Sequence, residues 1–322
     1  MKAAIVTELG RAPICADFAD PVAAGGEALI EVAAAPLSHV TRYRASGTHY
    51  SSAGSLPFVV GLDGVGRHAS GRHGGERVYF ILPRAPFGSM AERTVVPASH
   101  LVPLPDDIDD ATAAAIAIPA MSSWAALTVR TQMTPGQVVL VNGATGISGR
   151  LAVQIAKLFG AGKVIATGRN AAMLQALSSL GADVTISLQQ DDAALDAALI
   201  GHFSDGIDIV LDYLWGATAE RLLAAAARTS KNARPIRFIQ IGSSGGANIS
   251  LGATVIRSSG LELIGCGMGS IAFDRILGSI AEVLKATVPH ALKIETKVLP
   301  LAGIEANWTI DTTATRTVFV PG

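Results

Sequence analysis

At 322 residues the chain is long enough for about two domains of ordinary size, and 49% apolar with 16% charged residues excludes a disordered or fibrous protein. Lys and Arg (25) nearly balance Asp and Glu (26), giving a formal net charge of −1 and no overall field for nucleic acid or an anionic membrane. The expected partner is a small molecule.

Only Cys15 and Cys266 are present, too few for a disulfide scaffold or a four-cysteine zinc lobe, which suits a reducing compartment. The apolar run at 3–6 is cut short by Glu8, Gly10 and Arg11, so no signal-peptide core forms. The Ala-rich stretch 111–127 holds Pro119, Ser122 and Ser123 and has little drive to enter a membrane. A soluble cytoplasmic protein is expected.

In chain order, β-branched runs at 2–6, 28–32, 58–60, 77–80 and 93–96 alternate with Gly, Pro and Ser clusters, the pattern of a compact and mostly antiparallel β module. The texture changes near Asp106. Asp109 or Asp110 can cap a helix over 111–118, which Pro119 is expected to stop before a second helical stretch at 122–129. From 137 onward, apolar strands at 138–142, 163–167, 184–186, 207–212, 236–242 and 261–266 alternate with helices at 148–159, 171–180, 193–202 and 217–229. Strands apolar throughout and separated by helices predict a parallel, doubly wound sheet covered on both faces. A helix at 271–286 and short strands near 296–300 and 317–320 are expected to return the chain to the first module.

Residues 138–157 carry the strongest signal: an apolar strand, a Gly-rich turn and an amphipathic helix in immediate succession. In the G-x-G-x-x-G frame the positions are Ala144, Gly146 and Gly149. Gly146 lets a pyrophosphate approach the backbone, and Gly149 lets the helix pack close to the sheet. The free N–H groups of the first turn, with Thr145 and Ile147 beside them, face the phosphates. The next strand ends Gly168-Arg169-Asn170, where an NAD site places Asp or Glu. Losing that carboxylate and gaining a guanidinium favours the 2′-phosphate of NADPH. The alternative is that Arg169 merely decorates a surface turn.

With these residues in hand, the chain resembles the zinc-free quinone oxidoreductase branch of the medium-chain dehydrogenase/reductase superfamily. The likeness runs through Pro57-Phe-Val-Val-Gly-Leu-Asp-Gly-Val-Gly66, Gly75-Glu-Arg-Val-Tyr79, Ser89-Met-Ala-Glu92, Pro103-Leu-Pro-Asp106, the fingerprint and Gly181-Ala-Asp183. It implies a GroES-like β domain (1–120 and 265–322), a Rossmann domain (121–264) and a cofactor in the cleft. Zinc-dependent members place a ligand where this chain has Ser38, a Gly-His-Glu where it has Gly61-Leu62-Asp63, and a third ligand near Ile118, so no metal site is expected. The resemblance further places Ser122, Gly242, Ser243, Gly267 and Met268 near the nicotinamide, and Tyr43 in the acceptor pocket as the candidate catalytic phenol; the alternatives are a Tyr packed with its hydroxyl on a loop carbonyl, and solvent as the proton source. Ser38 and Thr41 stand where the family tends to carry Asn and Asp.

The resulting expectation is an NADPH-dependent reductase of quinones or other conjugated carbonyls, forming a homodimer through the last Rossmann strand. Reduction of an enone or enoyl-thioester double bond is the nearest alternative, and a non-catalytic NADPH-binding redox sensor is the alternative of another class. Three competing motifs are set aside. Gly242-Ser-Ser-Gly-Gly246 matches a hydrolase elbow at Ser244 but lacks the helix that must follow. His68 and His73 read as solvated loop histidines. Arg42, Arg44, Arg67 and Arg72 make the early loops locally basic.

Overall fold

The computed structural model describes residues 1–48, 55–69, 73–311 and 313–322. The chain forms two compact units, Met1–Ile118 with Ile280–Gly322, and Pro119–Ser279.

The first unit opens with strands β1 (Lys2–Val6), β2 (Ile14–Asp17) and β3 (Glu27–Pro36), helix α1 (His39–Ala45), and strands β4 (Phe58–Val59), β5 (Asp63–His68), β6 (Arg77–Ile81), β7 (Arg93–Pro97) and β8 (Leu101–Pro103). Strand β1 pairs antiparallel with β2 and β4, while β3 pairs antiparallel with β5 and β7. Ala28, Ile30 and Val32 alternate inward along β3 and meet Val78, Phe80 and Val96 in one core. Alternation of period two thus gives this sheet its buried face.

Helix α1 revises the reading of Arg42 and Arg44 as loop residues. Ser38 caps it by accepting from Thr41 N (2.9 Å), and Arg42 Nη2 donates to Ile310 O (2.6 Å). Arg67 Nη1 donates to Gly75 O. Arg42 and Arg67 are thereby committed to backbone carbonyls, and Arg72 lies outside the described residues.

Helix α2 (Asp110–Ala125) begins where expected, with Asp109 Oδ1 accepting from Thr112 N at 2.8 Å. Pro119 does not stop it. The helix runs through the proline and ends in a π-helical turn, Ala126–Arg130. Ala113 to Ala117 are fully buried, so packing around the helix outweighs the one backbone hydrogen bond that proline removes. Asp110–Arg130 also reaches membrane-spanning length and hydropathy (21 residues, mean hydropathy 1.4), yet 67% of that window is buried, the condition of a core helix.

The second unit continues with β9 (Val138–Asn142), α3 (Ile147–Leu158), β10 (Lys163–Gly168), α4 (Ala171–Ala176), β11 (Val184–Ser187), α5 (Asp192–Gly206), β12 (Ile209–Asp212), α6 (Gly216–Thr229), β13 (Ile236–Gln240), α7 (Ala253–Arg257) and β14 (Leu261–Gly265). All six strands are parallel, in the order β11-β10-β9-β12-β13-β14. This is the doubly wound sheet the sequence predicts, and its order reverses between β9 and β12, the switch point where such sheets bind ligands. The unit runs on to Ser279 rather than ending at 264. The turn after β14 is tied back into it: Arg130 Nη1 donates to Ser270 O, and Gly267 N donates to Ser270 Oγ.

Helix α8 (Phe273–Thr287) leads to β15 (Thr296–Pro300), a short helix α9 (Ile304–Asn307) and β16 (Arg316–Val320). β16 pairs antiparallel with β3 through Val318↔Pro36 and Phe319↔Ala35, so the tail does complete the first unit's sheet.

Candidate active site

The turn after β9 is tight and glycine-rich, and it leads directly into α3. Gly143 takes φ +87°, which an L side chain rarely adopts, and Ala144 N donates to Thr167 O at 2.8 Å. A Cβ at Gly149 would collide with the Gly143 carbonyl oxygen and Ala144 Cα, so glycine there sets how closely α3 approaches the turn. A Cβ at Gly146 would meet only Gly143 O, at 3.7 Å, leaving that side open. Gly146 caps α3 with no side-chain hydrogen bond, so the amides that begin at Ile147 keep the unfilled donors of a helix start. These features suit a pyrophosphate.

Three buried polar side chains hold this turn. Asn142 Nδ2 donates to Asp212 Oδ1 (2.7 Å), Thr167 Oγ1 donates to Asn142 Oδ1 (2.7 Å), and Gly143 N donates to Thr167 Oγ1 (3.2 Å). Asp212 Oδ1 also accepts from Leu214 N and Trp215 N. Burial pushes the Asp212 carboxyl above the usual carboxylate range, with Asn142 and the two amides opposing that rise. The network was not anticipated from the sequence. Its signal was there: β9, β10 and β12 are apolar strands that each carry one polar side chain at the carboxyl end.

At the end of β10, Gly168 is buried, and a Cβ there would collide with Thr145 Cγ2, so the missing acid and the fingerprint threonine are packed together. Arg169 is exposed. Asn170 caps α4 by accepting from Met173 N at 3.0 Å, which commits its carbonyl oxygen.

Ser122 Oγ donates to Pro119 O (2.8 Å) and lies 3.2 Å from the Tyr213 hydroxyl. Cys266 Sγ donates to Ser122 O at 3.7 Å, and burial pushes that thiol up to about 11. Gly242 N donates to Asp212 O, and a Cβ on Gly242 would stand 2.7 Å from Tyr213 O. Ser243 and Gly267 are exposed on the loops after β13 and β14, as is Met268. From β10 to β14 the carboxyl edge crosses four strand gaps, about 19 Å, room for an extended dinucleotide.

Residues 149–283 match the family model described as zinc-binding dehydrogenase. The whole chain aligns with a probable NADPH-dependent quinone reductase of Emericella nidulans, 27% identical with 100% of each chain covered. An NADPH-dependent alkenal/one oxidoreductase from Arabidopsis thaliana is 34% identical over 58% of this chain and 49% of its own length. Among solved structures, the quinone oxidoreductase from Thermus thermophilus, also described in complex with NADPH, superposes with a TM-score of 0.79 at 26% identity, covering 99% of this chain and 100% of that one. The matched model, the relatives and the structural neighbours together support a quinone oxidoreductase-type member of the medium-chain dehydrogenase/reductase superfamily.

The superfamily's zinc positions carry other chemistry in this member. Ser38 caps α1 and shares a 2.8 Å contact with Thr41 Oγ1, and Leu62 offers no donor. Asp63 is 1% exposed and accepts from the Tyr79 hydroxyl at 2.9 Å. Burial pushes its carboxyl up to about 6, against the pull of Arg316 and Tyr79. Among the described residues no group of three or more His, Cys, Asp or Glu is placed to hold a metal. Tyr43, on α1 in the first unit, is 53% exposed and stacks on His39 with ring centroids 6.4 Å apart. Ser244 Oγ donates to Tyr213 O, and His73 pairs with Glu76.

Proposed function

We propose that this chain transfers hydride from NADPH to a quinone or another conjugated carbonyl acceptor, without zinc. The observation that carries the reading is the end of β10: Gly168 packed against Thr145, and an exposed Arg169 beside it where an NAD site needs a carboxylate. A guanidinium there favours the coenzyme with the extra phosphate. The relatives' descriptions as NADPH-dependent quinone and alkenal/one reductases support the same choice.

Bound NADPH supplies the hydride, from its nicotinamide C4. The amides that start α3 at Ile147 would hold the pyrophosphate at the open side of Gly146, and Ala144, Thr145 and Gly149 shape that turn. Arg169 would take the 2′-phosphate, and Gly168 and Asn170 keep that end of the strand free of negative charge. Ser122, Gly242, Ser243, Gly267 and Met268 line the nicotinamide end. Tyr43 would serve as the proton donor to the acceptor oxygen through its phenol. The protein's main contribution is to hold donor and acceptor in near-attack geometry. Outside this chemistry, we read the chain as a cytoplasmic homodimer. β14 ends the sheet order and exposes Leu263, which suits pairing with a second copy.

Consumption of NADPH by purified protein, measured against a panel of quinones, enones and enoyl thioesters, tests the proposal. Turnover of quinones is expected. The Arabidopsis relative favours a second reading, in which enones or enoyl thioesters are reduced at the double bond and outpace quinones. Tight NADPH binding with no turnover of any acceptor would instead identify a redox sensor. Because Ser38, Leu62 and Ile118 offer no thiolate, imidazole or carboxylate, exhaustive chelation should leave the rate unchanged. Inactivation reversed by added zinc would overturn the zinc-free assignment.

A further inference from the structure

Tyr213 follows β12 directly at the switch point of the parallel sheet, and several coenzyme-site residues converge on it. Its hydroxyl lies 3.2 Å from Ser122 Oγ. A Cβ on Gly242 would meet its carbonyl oxygen at 2.7 Å, and one on Gly143 would meet its Cβ at 3.5 Å. Its amide donates to Asn142 O at 3.1 Å, which ties it to the strand that carries the fingerprint.

The direction of its hydrogen bond follows from proton counting. Ser122 has one hydroxyl proton and donates it to Pro119 O at 2.8 Å. Ser123, the phenol's other hydrogen-bond neighbour, likewise donates to Ala120 O at 3.1 Å, so the Tyr213 hydroxyl gives its one proton to this serine pair, with Ser122 Oγ at 3.2 Å, and the phenol oxygen retains accepting capacity. We propose that Tyr213 is a positioning residue for the nicotinamide riboside half of the coenzyme, its phenol oxygen accepting a hydrogen bond from that half while Ser122 fixes its orientation. This rests on the coenzyme reading above. Burial raises the phenol well above the ordinary tyrosine range, so it stays neutral and works by hydrogen bonding rather than by ionising.

The test compares two ligands by calorimetry on wild-type protein and Tyr213→Phe. One is NADPH, and the other is adenosine 2′,5′-bisphosphate, which carries the phosphorylated adenosine end without nicotinamide. Tyr213→Phe should weaken NADPH about five- to tenfold, the size of one neutral hydrogen bond, and leave the bisphosphate unchanged. Ser122→Ala, which frees the phenol to rotate, should weaken NADPH by a smaller factor and likewise spare the bisphosphate. Equal losses for both ligands would mean a structural role in the loop, and no loss of NADPH affinity would remove the contact; either overturns the assignment. Wild-type protein binding neither ligand would overturn the coenzyme reading itself, a result distinct from the other two.

Discussion

Asn142 at the end of β9 and Asp212 at the end of β12 are joined by a 2.7 Å hydrogen bond across the switch point of the parallel sheet. The same Asp212 oxygen accepts from Leu214 N and Trp215 N. Trp215 stands at φ 59° and ψ −157°, a region that is essentially glycine's, so the carboxylate also holds a strained turn. Asp212→Ala would strand one amide side chain and two backbone N–H groups in a buried place. A loss of about 3 kcal/mol in denaturant unfolding is expected, with NADPH affinity down at least about tenfold. Asp212→Asn, which keeps an accepting oxygen, should recover most of both.

In the proposed function, coenzyme choice turns on Arg169. Removing a guanidinium that makes charge-assisted hydrogen bonds to a phosphate costs about 1.5–3 kcal/mol. Arg169→Ala should therefore weaken NADPH by roughly ten- to a hundredfold and leave NADH nearly unchanged. Titration of both coenzymes checks this, and equal losses would show that the 2′-phosphate lies elsewhere.

Tyr43 tests the proton side of the reaction. Its exposed position on α1 leaves the phenol open to a ligand. If it delivers the proton, Tyr43→Phe should lower kcat about a hundredfold, the lower end of general-acid effects, with NADPH affinity unaltered. An unchanged kcat would assign the proton to solvent and leave Tyr43 as packing against His39.

What the sequence made legible follows from where each signal is stored. The six parallel strands and the fingerprint turn are local patterns, an apolar run followed by glycines at fixed spacing, and they appear at the expected places. β5 was hidden because it carries Gly64 and Gly66, which read as turn residues. In the fold those glycines permit close packing: a Cβ at Gly64 would lie 2.8 Å from Ala34 O, and one at Gly66 would lie 2.5 Å from Ile30 Cγ2. Helix α1 was missed because contacts distant in sequence fix it, Arg42 reaching the carbonyl of Ile310. Pro119 misled for the same reason, since local preference gave way to burial. In the site, Ala144, Gly146 and Gly149 could be read from spacing. The hydrogen bonds of Asp212 and Tyr213 to Asn142 could not, because they form only when β12 is placed beside β9.

Asp63 gives the fold a pH dependence that can be signed. Its carboxyl titrates near 6 in the folded chain, raised by burial, against about 3.9 in an unfolded one. Between those values the folded state holds a proton that the unfolded chain has released. This group's contribution to stability is therefore full below about pH 4 and declines as pH rises through 6, by at most about 3 kcal/mol. Asp63→Asn keeps the oxygen that accepts from Tyr79 and cannot ionise, so the decline between pH 4 and 6 should flatten in the variant. Because the amide stands in for the protonated carboxyl, the variant should gain stability relative to wild type as pH rises from 4 to 7. Urea unfolding of both proteins across that range measures the difference, in which titrations common to the two cancel. Parallel slopes would move the titrating group away from Asp63.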